Sequence, residues 1–236
     1  MTDGWEESAD AWVRSVDRGD PSREIVLDDP MLRMAGSVDR TRVLDVGCGE
    51  GRFVRMLEKR GASVVGLDPI QKLLTVARER GGGVFLKGSG ETLPFATGSF
   101  DLVVSYLTLI DIPDFRSAAS EMTRVLRPGG RLLIANLNSF MTTVPEPWLR
   151  DASGEKLHVM VDNYCEERPE WVEWGGIKVI NWHRPFSAYA GALLACGLRL
   201  EQFEEPLPSE ESIAQRPDYA SQLRVPYFHV MLWSKP

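Results

Sequence analysis

The chain has 236 residues, a length that suits one α/β domain with some elaboration and allows a sizeable core. Its 27 basic and 34 acidic residues leave a formal charge of -7 with no basic stripe, which argues against nucleic acid as a partner. Three scattered cysteines, Cys48, Cys165 and Cys196, form neither a disulfide framework nor a metal-ligand spacing, so no metal is expected and a reducing cytoplasm is the simplest home.

In chain order, Asp20-Pro21 and Asp29-Pro30 each set an N-cap before a proline, predicting two short helices in a cap spanning 1–40. From 41 to 137 short β-branched runs alternate with amphipathic stretches, the pattern of βαβ units that build a parallel sheet. Strands are predicted at 42–46, 63–67, 84–86, 100–105 and 131–135, with helices at 51–60, 70–80 and 117–126. The alternation lapses over 138–182, where Pro145, Pro147, Pro169 and Gly175-Gly176 punctuate short mixed segments that read as a lid insertion. A helix at 187–196 and strands at 198–204 and 227–233 complete the chain, and the missing helical crossover between those last strands makes one of them antiparallel. The fold class is therefore α/β, a Rossmann-like, mostly parallel seven-stranded sheet in a single domain whose last part spans 183–236.

Gly47, Gly49 and Gly51 lie between the first strand and its helix, where absent side chains let a ligand approach the backbone and the free N–H groups of a helix start. The dinucleotide fingerprint requires its third glycine one residue later, where this chain has Arg52, so a nicotinamide-dependent oxidoreductase is disfavoured. Asp45 would repel a pyrophosphate yet attract the ammonium and sulfonium of a cationic ligand. Asp68 ends the second strand, where an acid reaches ribose hydroxyls, and it could equally cap the helix that follows.

Asp45-x-Gly47-x-Gly49-x-Gly51, Gly66-Leu67-Asp68, Glu91-Thr92-Leu93-Pro94-Phe95, Phe100-Asp101-Leu102-Val103-Val104 and Leu126-Arg127-Pro128-Gly129-Gly130 together resemble the ordered motifs of class I S-adenosylmethionine-dependent methyltransferases. The likeness is nearest the small-molecule branch with the ubiquinone and menaquinone C-methylases. It implies S-adenosyl-L-methionine as cofactor, with Gly47, Cys48 and Gly49 along its methionine portion and Asp68 on the ribose. It also implies Pro69 and Ile70 beside the adenine, Ser89, Gly90 and Glu91 at the adenine edge, and Ser105 and Tyr106 beside the transferable methyl. The family commonly has Asp-Ala where this chain has Ser89-Gly90, which leaves the Ser89 hydroxyl or a backbone carbonyl to meet the adenine.

Trp148, Trp171, Trp174 and Trp182 concentrate in the insertion, and with Trp5 and Trp12 they predict an aromatic cover over an apolar acceptor pocket. Trp12, Tyr164, Trp182 and Arg184 are the predicted acceptor contacts; Arg184 could instead pair with Glu204 or Glu205. If the acceptor sheds a proton, His183 is the first candidate base, His158 the second and Tyr106 a further one, whereas His229 reads as structural. The function predicted is O- or C-methylation of a small apolar or aromatic metabolite, with a non-methylating cyclisation or elimination as the alternative. An acidic start without a signal peptide, and no apolar run near about 20 residues, predict no membrane partner and a monomer or homodimer.

Overall fold

The computed structural model describes residues 3–236. Helix α1 (Trp5–Asp17) starts from Gly4, whose left-handed backbone turns the chain into the first helical turn, and carries Glu6 and Glu7 where the helix dipole favours acids. A π-helical turn at Ser22–Leu27 then runs straight into α2 (Asp28–Ala35). The predicted start at Asp29-Pro30 is therefore absent: Pro30 lies in the first turn of α2, where a missing N–H is tolerated.

The predicted alternation follows as β1 (Arg42–Val46), α3 (Arg52–Glu58), β2 (Ser63–Asp68), α4 (Gln71–Arg80), β3 (Val84–Lys87), β4 (Phe100–Tyr106), α5 (Phe115–Val125) and β5 (Leu126–Leu137). Helix α5 starts two residues before the apolar pattern implied, because the Asp114 carboxylate accepts the Ser117 N–H at 3.1 Å. Two antiparallel hairpins fill the insertion, β6 (Trp148–Arg150) with β7 (Lys156–Val159) and β8 (Arg168–Trp174) with β9 (Ile177–His183). Then come α6 (Phe186–Ala195), β10 (Arg199–Glu204), a short α7 (Glu210–Gln215) and β11 (Phe228–Ser234).

The main sheet has seven strands in the order β10-β11-β5-β4-β1-β2-β3, with β11 antiparallel to both neighbours. Chain order reverses between β1 and β4, so their carboxyl ends open a crevice at the switch point. Strand side chains alternate between two cores. Val43 joins Leu57 of α3 and Leu74 of α4, while Leu44 and Val46 join Phe115 and Met122 of α5 and Leu193 of α6. Covering both faces is what the continuous apolar strands required, and each fully buried Leu or Phe contributes about 1.5–3 kcal/mol.

The turn after β4 is held from beneath by Arg184, whose side chain is 1% exposed. Its guanidinium donates to the carbonyls of Leu109 (3.0 Å), Ile112 (2.7 Å) and Pro113 (2.8 Å) and stacks on Phe115 and Trp182. Its charge meets Glu167 at 3.8 Å, not Glu204, which takes Arg33 instead. Arg184→Met keeps the apolar stem but strands three carbonyls, so it should lower the unfolding free energy by about 3 kcal/mol, measured by denaturant titration; an unchanged midpoint would refute this support.

Candidate functional site

A cavity of about 330 Å³ opens at the carboxyl ends of β2, β1 and β4. Its floor is the glycine loop, where Gly47, Gly49 and Gly51 all have positive φ. A side chain at Gly47 would put its Cβ 2.1 Å from the Thr108 methyl, so glycine there is a packing requirement as well as a conformational one. Gly51 lies outside the cavity and acts from behind, packed against Phe85.

Asp68 binds the loop to β2. Its two carboxylate oxygens accept the N–H groups of Gly49 at 2.9 Å and Ile70 at 2.8 Å, and the N–H groups of Gly47 and Cys48 reach the Leu67 carbonyl. Burial still pushes Asp68 up to about 6, with those two N–H bonds pulling the other way. Asp45 is 1% exposed and its Oδ1 has no hydrogen-bond partner. Burial, then the neighbouring Asp68 charge, pushes Asp45 up to about 7, while Arg23 opposes this. Glu50 is also buried but is matched by Arg55 at 2.6 Å and Arg80 at 3.1 Å. The Cys48 thiol is driven up by burial and by Asp45, which leaves it an inert small residue of the loop.

Ile70 and Leu73 form an apolar wall opposite Ser89, Gly90 and Glu91, where the Ser89 hydroxyl donates to the Glu91 carboxylate. Tyr106 faces the cavity edge-on to Phe53 and donates its hydroxyl to Asp28 at 2.9 Å, and Asp28 is clamped by Arg52. Burial and Asp28 push the phenol's ionisation far up, so Tyr106 is a donor and a wall, not a base. Arg23, from the π turn, lies 4.8 Å above the Trp12 ring and 5.4 Å above that of Tyr106.

Several predicted residues are elsewhere. Ser105 is fully buried behind the cavity. His183 is 1% exposed, with Nδ1 facing the Thr142 hydroxyl at 2.8 Å and Nε2 the Tyr164 carbonyl at 2.9 Å, so neither ring nitrogen is free for an acceptor. His158 is exposed on β7, opposite Leu149. Tyr164 accepts the Phe186 N–H, Trp182 lies under Arg184, and Arg184 is spent on carbonyls. Residues 138–182 do not line the cavity; Trp5, Trp12 and Val16 of α1 cover it instead. The insertion acts from behind α1, where Lys178 of β9 exchanges hydrogen bonds with Ser8.

Among the cavity residues that sequence reasoning missed are Arg23, Leu73, Leu107, Thr108 and Asp111. Asp111 was visible only as an acid breaking an apolar run beyond strand four. Thr108 carried no signal before Gly47 was known to touch it.

An unpartnered buried carboxylate beside a glycine loop fits a ligand carrying an ammonium, and Asp68 fits a ribose. Among known proteins, residues 44–134 match the methyltransferase domain family. Residues 44–134 therefore carry a methyltransferase domain. The chain is 34% identical over 132 residues to a malonyl-[acyl-carrier protein] O-methyltransferase of Serratia marcescens, covering 55% of this chain and 52% of that one. It is 40% identical over 98 residues to a demethylmenaquinone methyltransferase of Corynebacterium efficiens, covering 42% of each. The chain spans about half or less of the length of the curated relatives it matches. It resembles the crystal structure of an S-adenosylmethionine-dependent methyltransferase from Mesorhizobium loti, with a TM-score of 0.81 and 28% identity over 92% of this chain and 99% of that one.

Between pH 3.8 and about 7 the folded chain keeps the Asp45 proton that the unfolded chain has released, so the group destabilises the empty protein increasingly as pH rises through that window. Asp45→Asn should raise the melting temperature of the ligand-free protein above pH 7, leave it nearly unchanged near pH 4, and weaken S-adenosylhomocysteine binding about tenfold. Equal melting curves at both pH values would show that Asp45 is not held protonated.

Proposed function

We propose that the chain transfers the methyl group of S-adenosylmethionine to a small apolar or aromatic acceptor, by O- or C-methylation. The observation that carries this reading is the unpartnered Oδ1 of Asp45, buried beside the glycine loop. When bound, the cofactor supplies an electrophilic methyl carbon on a cationic sulfur. Asp45 meets its ammonium, and Asp68, already oriented by the Gly49 and Ile70 N–H groups, meets the ribose hydroxyls. Ile70 and Leu73 flank the adenine opposite Gly90. Helix α1 excludes water, which strengthens these charge contacts.

The acceptor class rests on the walls left beyond the cofactor contacts. Trp12, Tyr106 and Leu107 offer aromatic and apolar surface, which suits an apolar or aromatic acceptor. The protein contributes mainly by alignment, because displacement at a methyl carbon needs attacking atom, carbon and sulfur in line.

Calorimetry with S-adenosylmethionine, S-adenosylhomocysteine and NAD should show binding of the first two alone. Mass spectrometry of incubated phenols, quinols and carboxylic acids should then find an acceptor heavier by one methylene. Binding of NAD without the sulfonium would overturn the assignment. Asp68→Ala removes the acceptor of two ribose bonds and should cost about 100-fold in S-adenosylhomocysteine affinity; unchanged affinity would mean that the ribose lies elsewhere.

A further inference from the structure

Three carboxyls of the cavity are pushed up by burial, and the cofactor accounts for two. The third is Asp111, which is raised to about 8. It does not sit on a strand end but on a turn with an unusual backbone. Leu107, a bulky residue, has φ 58 in the left-handed region, held there by its N–H bond to the Ala135 carbonyl at 2.9 Å. That twist swings Thr108 against Gly47 and closes a turn in which the Asp111 N–H reaches the Thr108 carbonyl at 2.9 Å. The strain serves to carry one acid from the end of β4 into the cavity.

The neighbours of Asp111 come from the cover. Asn181 of β9 donates to its Oδ1 at 2.7 Å, and Trp5 of α1 stands beside it as a second donor. The charged groups that face it are Asp3, ahead of α1, which raises it, and Arg23 of the π turn, which lowers it. Asp111 thus lies at the seam between core and cover, across β1 from Asp68 and lining the same cavity.

We propose that Asp111 borders the transferable methyl and is the group that takes the acceptor's proton. The acceptor's lone pair forms the bond to the methyl carbon, the carbon–sulfur bond breaks with its electron pair left on sulfur, and the acceptor's proton passes to the Asp111 carboxylate. Asn181 and Trp5 hold the carboxyl in place, which makes them positioning residues. A proton acceptor whose affinity lies near working pH is suited to this task.

The proposal rests on the cavity being a cofactor site, and its test is a binding comparison that needs no acceptor. In sinefungin, CH–NH3+ stands where the cofactor has S+–CH3, so its ammonium probes the methyl's position. The wild-type protein should bind sinefungin about tenfold or more tighter than S-adenosylhomocysteine at about pH 8.5. Asp111→Asn should abolish that preference and leave S-adenosylhomocysteine affinity within about twofold. A preference that survives the substitution, or is absent from the wild type, overturns the proposal.

If the variant does not fold, the wild-type affinity ratio decides. It should climb from about pH 6 to about pH 9 as the carboxyl ionises, because Asp45 and Asp68 meet both ligands alike and cancel. A flat ratio overturns the role of Asp111 alone, whereas failure of both ligands to bind overturns the cofactor reading on which it rests.

Discussion

The site depends on one buried carboxylate. Asp68, 5% exposed at the end of β2, accepts N–H groups from two different loops, that of Gly49 in the glycine turn and that of Ile70 at the start of α4. Burying such a charge without partners would be costly, and two charge-assisted hydrogen bonds offset that cost while fixing the path of both loops. Gly47 and Cys48 add bonds to the adjacent Leu67 carbonyl, so the glycine turn is tied to β2 through three N–H groups, while the Ile70 N–H ties the following loop to the same carboxylate. Asp68 also lines the cavity, so the group that shapes the site stands beside the ligand space.

That arrangement concentrates negative charge. Asp45, Asp68 and Asp111 share one cavity, each raised chiefly by burial, while Arg52 is committed to Asp28 and Arg23 is shared with Asp20. Glu50, buried at the edge of the same cavity, is by contrast matched by Arg55 and Arg80. The unmatched acids are a local cost to the empty protein that a cationic ligand relieves, the usual relation between strain and function at a binding site.

The cover is a composite. Helix α1 lies over the ligand space, but it is held by β9, through the paired Ser8 and Lys178 bonds, the Ile180 N–H to the Asp3 carbonyl, and a small apolar cluster of Ala11, Ile177 and Val179. Strand β9 in turn grips the turn after β4 through the Trp182 N–H to Ile110, and Arg184 just beyond it secures the same turn. The insertion, the amino-terminal helix and the turn after β4 are therefore bonded to one another. The aromatic residues of the insertion serve it as supports: Trp182 stacks on Arg184, Trp148 donates to the Tyr227 hydroxyl, and Trp171 and Trp174 are half exposed.

The sequence by itself determined the sheet and the cofactor end of the site, because both rest on local chemistry. Apolar runs of strand length, glycines that permit positive φ, and acids at strand ends are properties of a few adjacent residues, and they foretold β1 to β5 and the glycine turn, beside which Asp45 and Asp68 line the cavity. Only the tertiary structure decided which side chains face the ligand beyond that. His183 and Arg184 carry the chemistry of a base and an anion binder, yet contacts with Thr142, Tyr164 and the Leu109 turn use up their hydrogen-bonding groups. Asp111 has no motif around it, and it reaches the cavity because Leu107 twists and because Asn181, 70 residues away, donates to its oxygen. Direction and partnership of a side chain are set by such distant contacts, and no window of the sequence contains them.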